Sequence, residues 1–372
     1  MQNKRENFLN TKRDAWVEIN LGNIENNILE FKKITGEKKI LAVVKADSYG
    51  CGSVMISPIL LASGVDMLGV ASIDEGMQLR EAKFDCPILV LGAVPVWAFD
   101  YAAQHKIEIS IFTDEHLEAC KLAFQKTKIK PIVHVKIDTG MNRIGIPYFK
   151  AAEFIKKVQN LDYIDLKGVF THFACAEDEN ETKIQIERWN NVVNNIDTTG
   201  LLLHIHNTAG VISKFDIKSN MVRVGIGLYG YNPDLQPQIK NELNLKPVMN
   251  LKGRITNIHI MPEGDGVSYG HTFKTDKDIK VATIPIGYAD GVSRKLSNKI
   301  YGYLNWKKVK QIGNITMDQM MFDITGIDAQ NGDIIELLND KITLDDWAEL
   351  LGTINYELMC RLKVRLARVY TR

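Results

Sequence analysis

From about residue 40 to residue 230 the chain repeats one pattern: a short, wholly apolar, β-branched run followed by a longer amphipathic stretch. The runs are LAVVK (41–45), MLGVA (67–71), ILVLG (88–92), IEISIF (107–112), IVHVKI (132–137), LKGVF (166–170), LLLHI (201–205) and VRVGI (222–226). Continuous apolar runs of this length mark parallel strands covered on both faces, because a strand with one wet face alternates apolar and polar residues. Between them, NIENNILEFKKI (23–34) carries apolar residues at 24, 28 and 31. DEHLEACKLAFQK (114–126) follows Thr113, a residue suited to cap a helix N-terminus. Eight strand–helix repeats are the number that closes a (β/α)8 barrel of the TIM type. An open doubly wound sheet is the alternative, but it rarely needs eight consecutive parallel strands.

After about residue 238 the alternation stops. MNLKGRITNIHIM, IKVATIPIG, VKQIGNITM, MFDIT and DIIELL are β-rich segments joined by short Gly/Asp turns, and LDDWAELLG (344–352) is the only strong helix candidate. An α/β barrel over residues 14–238 and a mainly β domain over 239–372 are therefore expected, with residues 1–20 a candidate to pack with the second.

The 372-residue length suits a barrel with an appendage, and a formal charge of +1 gives no reason to expect nucleic acid or a membrane surface as partner. No apolar run is long enough to cross a bilayer, and the polar start MQNKRENFLNTKRD lacks the apolar core of a secretory signal. The cysteines at 51, 86, 120, 175 and 360 are odd in number, scattered and free of any CxxC pair. That argues against disulfide and zinc frameworks, so no metal is expected, and it fits a reducing cytoplasm.

In a (β/α)8 barrel the active site lies at the C-terminal ends of the strands. Lys45 ends the first run directly after Ala42, Val43 and Val44. An ammonium there is costly unless paired or deprotonated, and a lysine of lowered pKa is what Schiff-base chemistry needs. A side chain snorkelling out of the barrel mouth is the equal rival. Asn207 and Thr208 follow the seventh run while Gly225 and Ile226 close the eighth, and barrel phosphate sites are commonly built from those two loops. NTAG alone is an ordinary helix-capping turn; beside a second glycine loop, a phosphate cradle is the better reading. A Schiff-base lysine and a phosphate cradle, with no P-loop, point to pyridoxal phosphate. Lys136, Arg143, His172, His204, His206 and Arg223 add cationic or ring-nitrogen groups near strand ends. One such histidine alone reads as packing, but the set suits an anionic cofactor and a substrate carboxylate.

Assembled, these positions resemble the bacterial alanine racemases, from AWVEIN near Trp16 to the terminal RLARVY. AVVKADSYGCG (42–52) looks like that family's cofactor motif, which implies Lys45 as the cofactor lysine and first catalytic base, and Tyr49 as a phosphate ligand. HVKIDTGMNRIG (134–145) implies Arg143 near the cofactor's phenolic oxygen and the substrate carboxylate, held by Lys136, a lysine often carried as a carbamate. HIHNTAG (204–210) and MVRVGIGLYG (221–230) imply Arg223 facing the pyridine nitrogen, supported by His172 and His204. Asn207, Thr208, Gly225 and Ile226 would then bind phosphate. VSYGHTF (267–273) puts Tyr269 on the second catalytic base. By the same resemblance Met317 lies at the carboxylate site, Tyr356 at the inner gate and phosphate, and Tyr288 and Arg294 along an entry corridor. The resemblance also implies a homodimer whose composite sites each receive Tyr269 and Met317 from the other subunit, and a role supplying D-alanine for peptidoglycan. Four positions depart from the pattern. Asp47 replaces a common asparagine, Cys51 a histidine, Val224 a frequent proline and Asn314 an arginine.

A serine or broad-specificity racemase is the nearest alternative, although the bulk of Tyr356 favours a methyl side chain. A decarboxylase of the same architecture fits poorly because of VSYGHTF. A non-catalytic protein that only binds pyridoxal phosphate would need no β domain bearing a second base.

Overall fold

A computed structural model describes residues 12–233 and 242–372. The described residues form two compact units: one takes the chain up to Asn23, Tyr49–Gly52 and Lys246–Arg372, the other Ile24–Ser48 and Ser53–Leu245.

In the second of these, eight parallel strands close on themselves. They are Lys39–Val43, Met67–Val70, Ile88–Ala93, Glu108–Ile111, Ile132–Asp138, Asp165–Phe170, Leu202–His204 and Met221–Val224. Val222 of the last pairs with Ile40 of the first, which completes the barrel. The strands form because both faces are covered: Leu41, Ala42, Leu68, Val90, Ile109, Val133, Val135 and Val169 are all fully buried. The eighth run stops pairing at Val224, two residues earlier than its apolar pattern suggests, because Gly225 turns the chain into the 3-10 segment Ile226–Tyr229.

Helix Leu21–Thr35 turns Ile24, Ile28 and Phe31, spaced by four and three residues, into the interior. Helix Asp114–Thr127 starts where Thr113 accepts a hydrogen bond from the His116 N–H and ends at Lys128 in the left-handed conformation.

The other unit is built on a nine-stranded sheet, antiparallel except at one pairing. Strand Ala15–Asn20 lies between Met249–Arg254, antiparallel, and Ala367–Thr371, parallel. Helix Leu344–Leu351 has a capping box between Thr343 and Asp346 and stops at Gly352, whose φ of 65° only glycine adopts readily. A second helix, Asn355–Arg361, was not foreseen in this region. Seven residues with only Asn355, Leu358 and Met359 buried are too few to show a helical period. Among the described residues no helix is long and apolar enough to cross a membrane.

Candidate active site

Lys45 leaves the first barrel strand exposed to solvent, which matches the reading of a side chain reaching out of the barrel mouth. The backbone beyond it is unusual. Ala46, Asp47, Ser48 and Tyr49 all have φ between 52° and 55°, a full turn of left-handed helix without a glycine. L-residues disfavour this by about 1–2 kcal/mol each, so the turn needs external support. Glu75 supplies it, accepting from Ala46 N–H at 2.8 Å with one carboxylate oxygen and from Ala71 N–H at 2.7 Å with the other. Asp47 accepts from Ser53 N–H at 2.7 Å, and Ser48 N–H donates to Val44 O at 2.8 Å.

The lysine removed from water is Lys136, on the fifth strand. Its pKa is pushed down to about 7, by burial first and then by Arg223, Arg143 and Lys45. Those groups therefore crowd one end of the barrel, as their sequence positions suggested. The Lys136 ammonium reaches only Leu91 O, at a long 3.4 Å, and lies 5.1 Å from the centre of the Phe170 ring. Arg143 is exposed on a loop shaped by Gly140 (φ 144°), Asn142 (φ 53°) and Gly145 (φ 135°). Asp138 holds the loop by accepting from Gly140 N–H and Asn142 N–H.

Arg223 is buried, and burial pushes its pKa down to about 9. Its terminal nitrogens donate to the carbonyls of Thr171, His204 and Ile205 and to Nδ1 of His204 and of His172, both at 3.1 Å. None of these partners is a carboxylate, and among the described residues none accepts from its Nε–H. Since guanidinium can only donate, both histidines must present a lone pair at Nδ1 and, when neutral, carry hydrogen on Nε2. Burial, then the charge of Arg223, holds both histidines well below the usual imidazole range, so both are neutral at pH 7. His204 also stacks on Phe170, with centroids 4.8 Å apart. His206 stands apart from this cluster, bonded to Phe215 O and Ser219, and is a satisfied core residue.

Asn207 does cap a short helix, accepting from Gly210 N–H at 2.9 Å, as its NTAG context allowed. Beside it Thr208 Oγ accepts from Gly225 N–H at 3.0 Å, leaving the hydroxyl proton for an acceptor outside the protein. A Cβ on Gly227 would strike Phe31 and Thr208, so this loop packs as tightly as it does only with glycine.

The remaining predicted residues belong to the β-sheet unit. Tyr269 is 75% exposed, and Met317 is 53% exposed. Tyr269 sits in a turn where Ser268 has φ 64° and Gly270 φ 70°. Asn314 pins the turn: its Nδ2 donates to Tyr269 O at 2.6 Å, while Ser268 Oγ donates to Asn314 O at 2.7 Å. Tyr288 N–H and Ala289 N–H donate to Thr316 O and Met317 O, tying the expected corridor residue to the expected carboxylate residue. Gly287 permits this contact, since a Cβ would collide with both carbonyls. Arg294 is exposed. Tyr49 is buried with Tyr356 beside it, ring centres 6.2 Å apart; burial and then that neighbour raise its pKa, so it remains a hydrogen donor.

A family model described as "Alanine racemase, N-terminal domain" matches residues 19–233, and "Alanine racemase, C-terminal domain" matches 248–370. The chain belongs to the alanine racemase family. Curated alanine racemases from Nostoc sp. and Clostridium novyi are 39% and 38% identical, each alignment covering at least 95% of both proteins. Among solved structures, the alanine racemase of Clostridium difficile 630 superposes with TM-score 0.91 at 36% identity, covering 97% of this chain and 96% of its own. That of Bacillus anthracis with bound L-Ala-P gives 0.88 at 32%, over 97% and 96%.

The departures from alanine racemase motifs now have local settings. Asp47 braces the left-handed turn, Asn314 the Tyr269 turn. Cys51 is buried and its carbonyl accepts from the Tyr370 hydroxyl at 3.0 Å. Val224 is fully buried in the last barrel strand. Two supports escaped sequence reading, Glu75 and Asn314. Glu75 resembles any acid in a helix's first turn, and nothing local singles it out.

Proposed function

We propose that this chain interconverts L-alanine and D-alanine with pyridoxal 5′-phosphate as cofactor, Lys45 and Tyr269 acting as bases on opposite faces of the substrate Cα. The observation that carries the reading is Arg223, a buried cation with neutral partners and one donor to spare. That donor suits a pyridine nitrogen, and the Thr208 hydroxyl with the Ile226 backbone N–H suits a phosphate, to which Gly225, Tyr49 and Tyr356 would add as the family resemblance implies. When bound, pyridoxal phosphate supplies the electron sink that makes the substrate Cα–H acidic. Arg223 donates a hydrogen bond but keeps its proton, so it leaves the pyridine nitrogen unprotonated.

Lys45 would remove or return the proton on the D face and Tyr269 on the L face. Arg143, with Met317, would orient the substrate carboxylate, and Tyr288 and Arg294 would line the approach. Tyrosine ionises near pH 10 in water, so Tyr269 needs hydrogen donors such as the Nε2–H of His172 to act as a base. Exposure of Tyr269 and Met317 in the single chain supports a homodimer in which each serves the other subunit's site. Lys136, whose pKa of about 7 leaves a substantial share of its amine neutral near pH 7, is suited to take up carbon dioxide. Its nitrogen would bond to the carbon and release a proton, giving a carbamate anion amid Arg143, Arg223 and Lys45. A cytoplasmic enzyme supplying D-alanine to peptidoglycan is the setting we propose.

The test is a chiral assay of purified protein supplied with the cofactor, using L-alanine, L-serine and L-lysine in parallel. D-alanine formation with solvent deuterium entering Cα is expected. Faster conversion of serine, carbon dioxide from lysine, or no D-isomer at all would each overturn the reading. Borohydride should fix the cofactor on Lys45 and nowhere else.

A further inference from the structure

Arg223 stands at one end of a hydrogen-bonded chain that runs back through the barrel interior. Arg223 donates to His204 Nδ1 at 3.1 Å, His204 Nε2 lies 2.9 Å from His134 Nδ1, and His134 Nε2 lies 2.8 Å from Glu108 Oε2. His134 and His204 are fully sealed from solvent, and Glu108 is 5% exposed. Only one arrangement of protons satisfies every link. The guanidinium cannot accept, so His204 Nδ1 must. A neutral His204 then carries its hydrogen on Nε2 and donates it to His134 Nδ1. His134 in turn carries hydrogen on Nε2 and requires an acceptor there, which is the Glu108 carboxylate. The opposite tautomer of either ring would set two N–H groups against each other in a buried site.

We infer that Glu108 is a positioning residue for Arg223: it accepts the last hydrogen of the chain, and through His134 and His204 it holds the guanidinium in place. A second feature shows the interior shaped for this relay. A Cβ on Gly168 would lie 2.5 Å from His134 Nδ1 and 2.7 Å from its Cε1, so the ring fits only against glycine. Phe170 completes the setting by stacking on His204 and lying under Arg223, whose guanidinium carbon is 5.4 Å from the ring centre.

The experiment is 15N–1H correlation spectroscopy of histidine-labelled full-length protein, with assignments from single His→Phe variants. In the unsubstituted chain His134 and His204 are expected as Nε2–H tautomers, and Nδ1–H on either would overturn the inference. Glu108→Gln retains a carbonyl oxygen as acceptor and is expected to keep both signals. Glu108→Leu, which leaves the His134 Nε2–H without an acceptor, and Gly168→Ala, which displaces the His134 ring, are expected to lose the His134 signal. The spectral arm does not depend on the racemase reading. The kinetic arm rests on it: kcat for alanine should fall about tenfold in Glu108→Leu, the worth of one hydrogen bond to a charged group. Recovery of kcat in Glu108→Gln is expected. Equal losses in both variants, or no loss in either, would refute the positioning role. Absence of racemase activity in the unsubstituted protein would count against the racemase reading alone.

Discussion

Glu75 is the support whose removal should reach Lys45 without touching it. Its two carboxylate oxygens accept from Ala46 and Ala71 N–H groups, which follow two neighbouring barrel strands. A hydrogen bond to a charged group contributes about 1.5–3 kcal/mol, and Glu75 is half-buried, so about 1.5 kcal/mol for each is reasonable. Glu75→Ala should then destabilise by about 3 kcal/mol. Glu75→Gln keeps one acceptor but turns an NH2 group on the other N–H, and should lose about 1.5–2 kcal/mol. At about 2 °C per kcal/mol for a chain of this size, Tm should fall by about 6 °C and about 3–4 °C respectively. The catalytic effect should be larger, because Ala46–Ser48 are then free to leave the left-handed region and Lys45 swings with them. Misplacing a reacting group by an ångström can cost about a hundredfold in rate. Thermal denaturation and alanine turnover, measured on both variants, check this. Unchanged Tm and kcat in Glu75→Ala would show that the turn stands without its brace.

Lys136 gives a pH prediction. Its pKa is near 7 when folded and about 10.4 when unfolded, so between these values the unfolded chain holds the extra proton and stability rises with pH; below pH 7 the penalty is complete. In carbon dioxide-free buffer, Lys136→Met should therefore raise Tm more at pH 6 than at pH 10, and parallel Tm–pH curves would rule this out. Mixing Lys45→Ala with Tyr269→Ala chains should restore about a quarter of the original activity if subunits exchange at random and sites are composite. No recovery after verified exchange, or sedimentation of an active monomer, would exclude shared sites. Asn314→Ala removes the donor to Tyr269 O and should lower kcat about tenfold with Tm nearly unchanged; a kcat equal to that of the unsubstituted protein would dismiss the pin.

The barrel was legible because its strands are buried on both faces, which writes each one as an unbroken apolar run. The cationic cluster was legible for a related reason, since lysine, arginine and histidine at the ends of such runs have few innocuous explanations. What escaped detection has no one-dimensional period. Ala46–Tyr49 contains no residue that prefers the left-handed region strongly, and the turn exists because Glu75, distant along the chain, accepts one of its N–H groups. The apolar run left the burial of Lys45 open and gave no sign that Lys136 is the buried lysine. Lys45 and Lys136 both follow valines, but the first strand ends at Val43 whereas the fifth continues through Asp138, keeping Lys136 inside. Glu108 passed as part of an apolar strand, although an acid amid IEISIF was the visible clue to a polar interior.

Strand Ala15–Asn20 finds one neighbour in Met249–Arg254 and the other in Ala367–Thr371. On the ribosome its first partner emerges more than two hundred residues later and its second more than three hundred residues later. The barrel can therefore collapse during translation while this early segment waits with unpaired backbone groups, a form prone to wrong pairing. Chaperone demand should concentrate there, and a nascent chain stopped before Ala367 should leave one side of that strand open to aggregation.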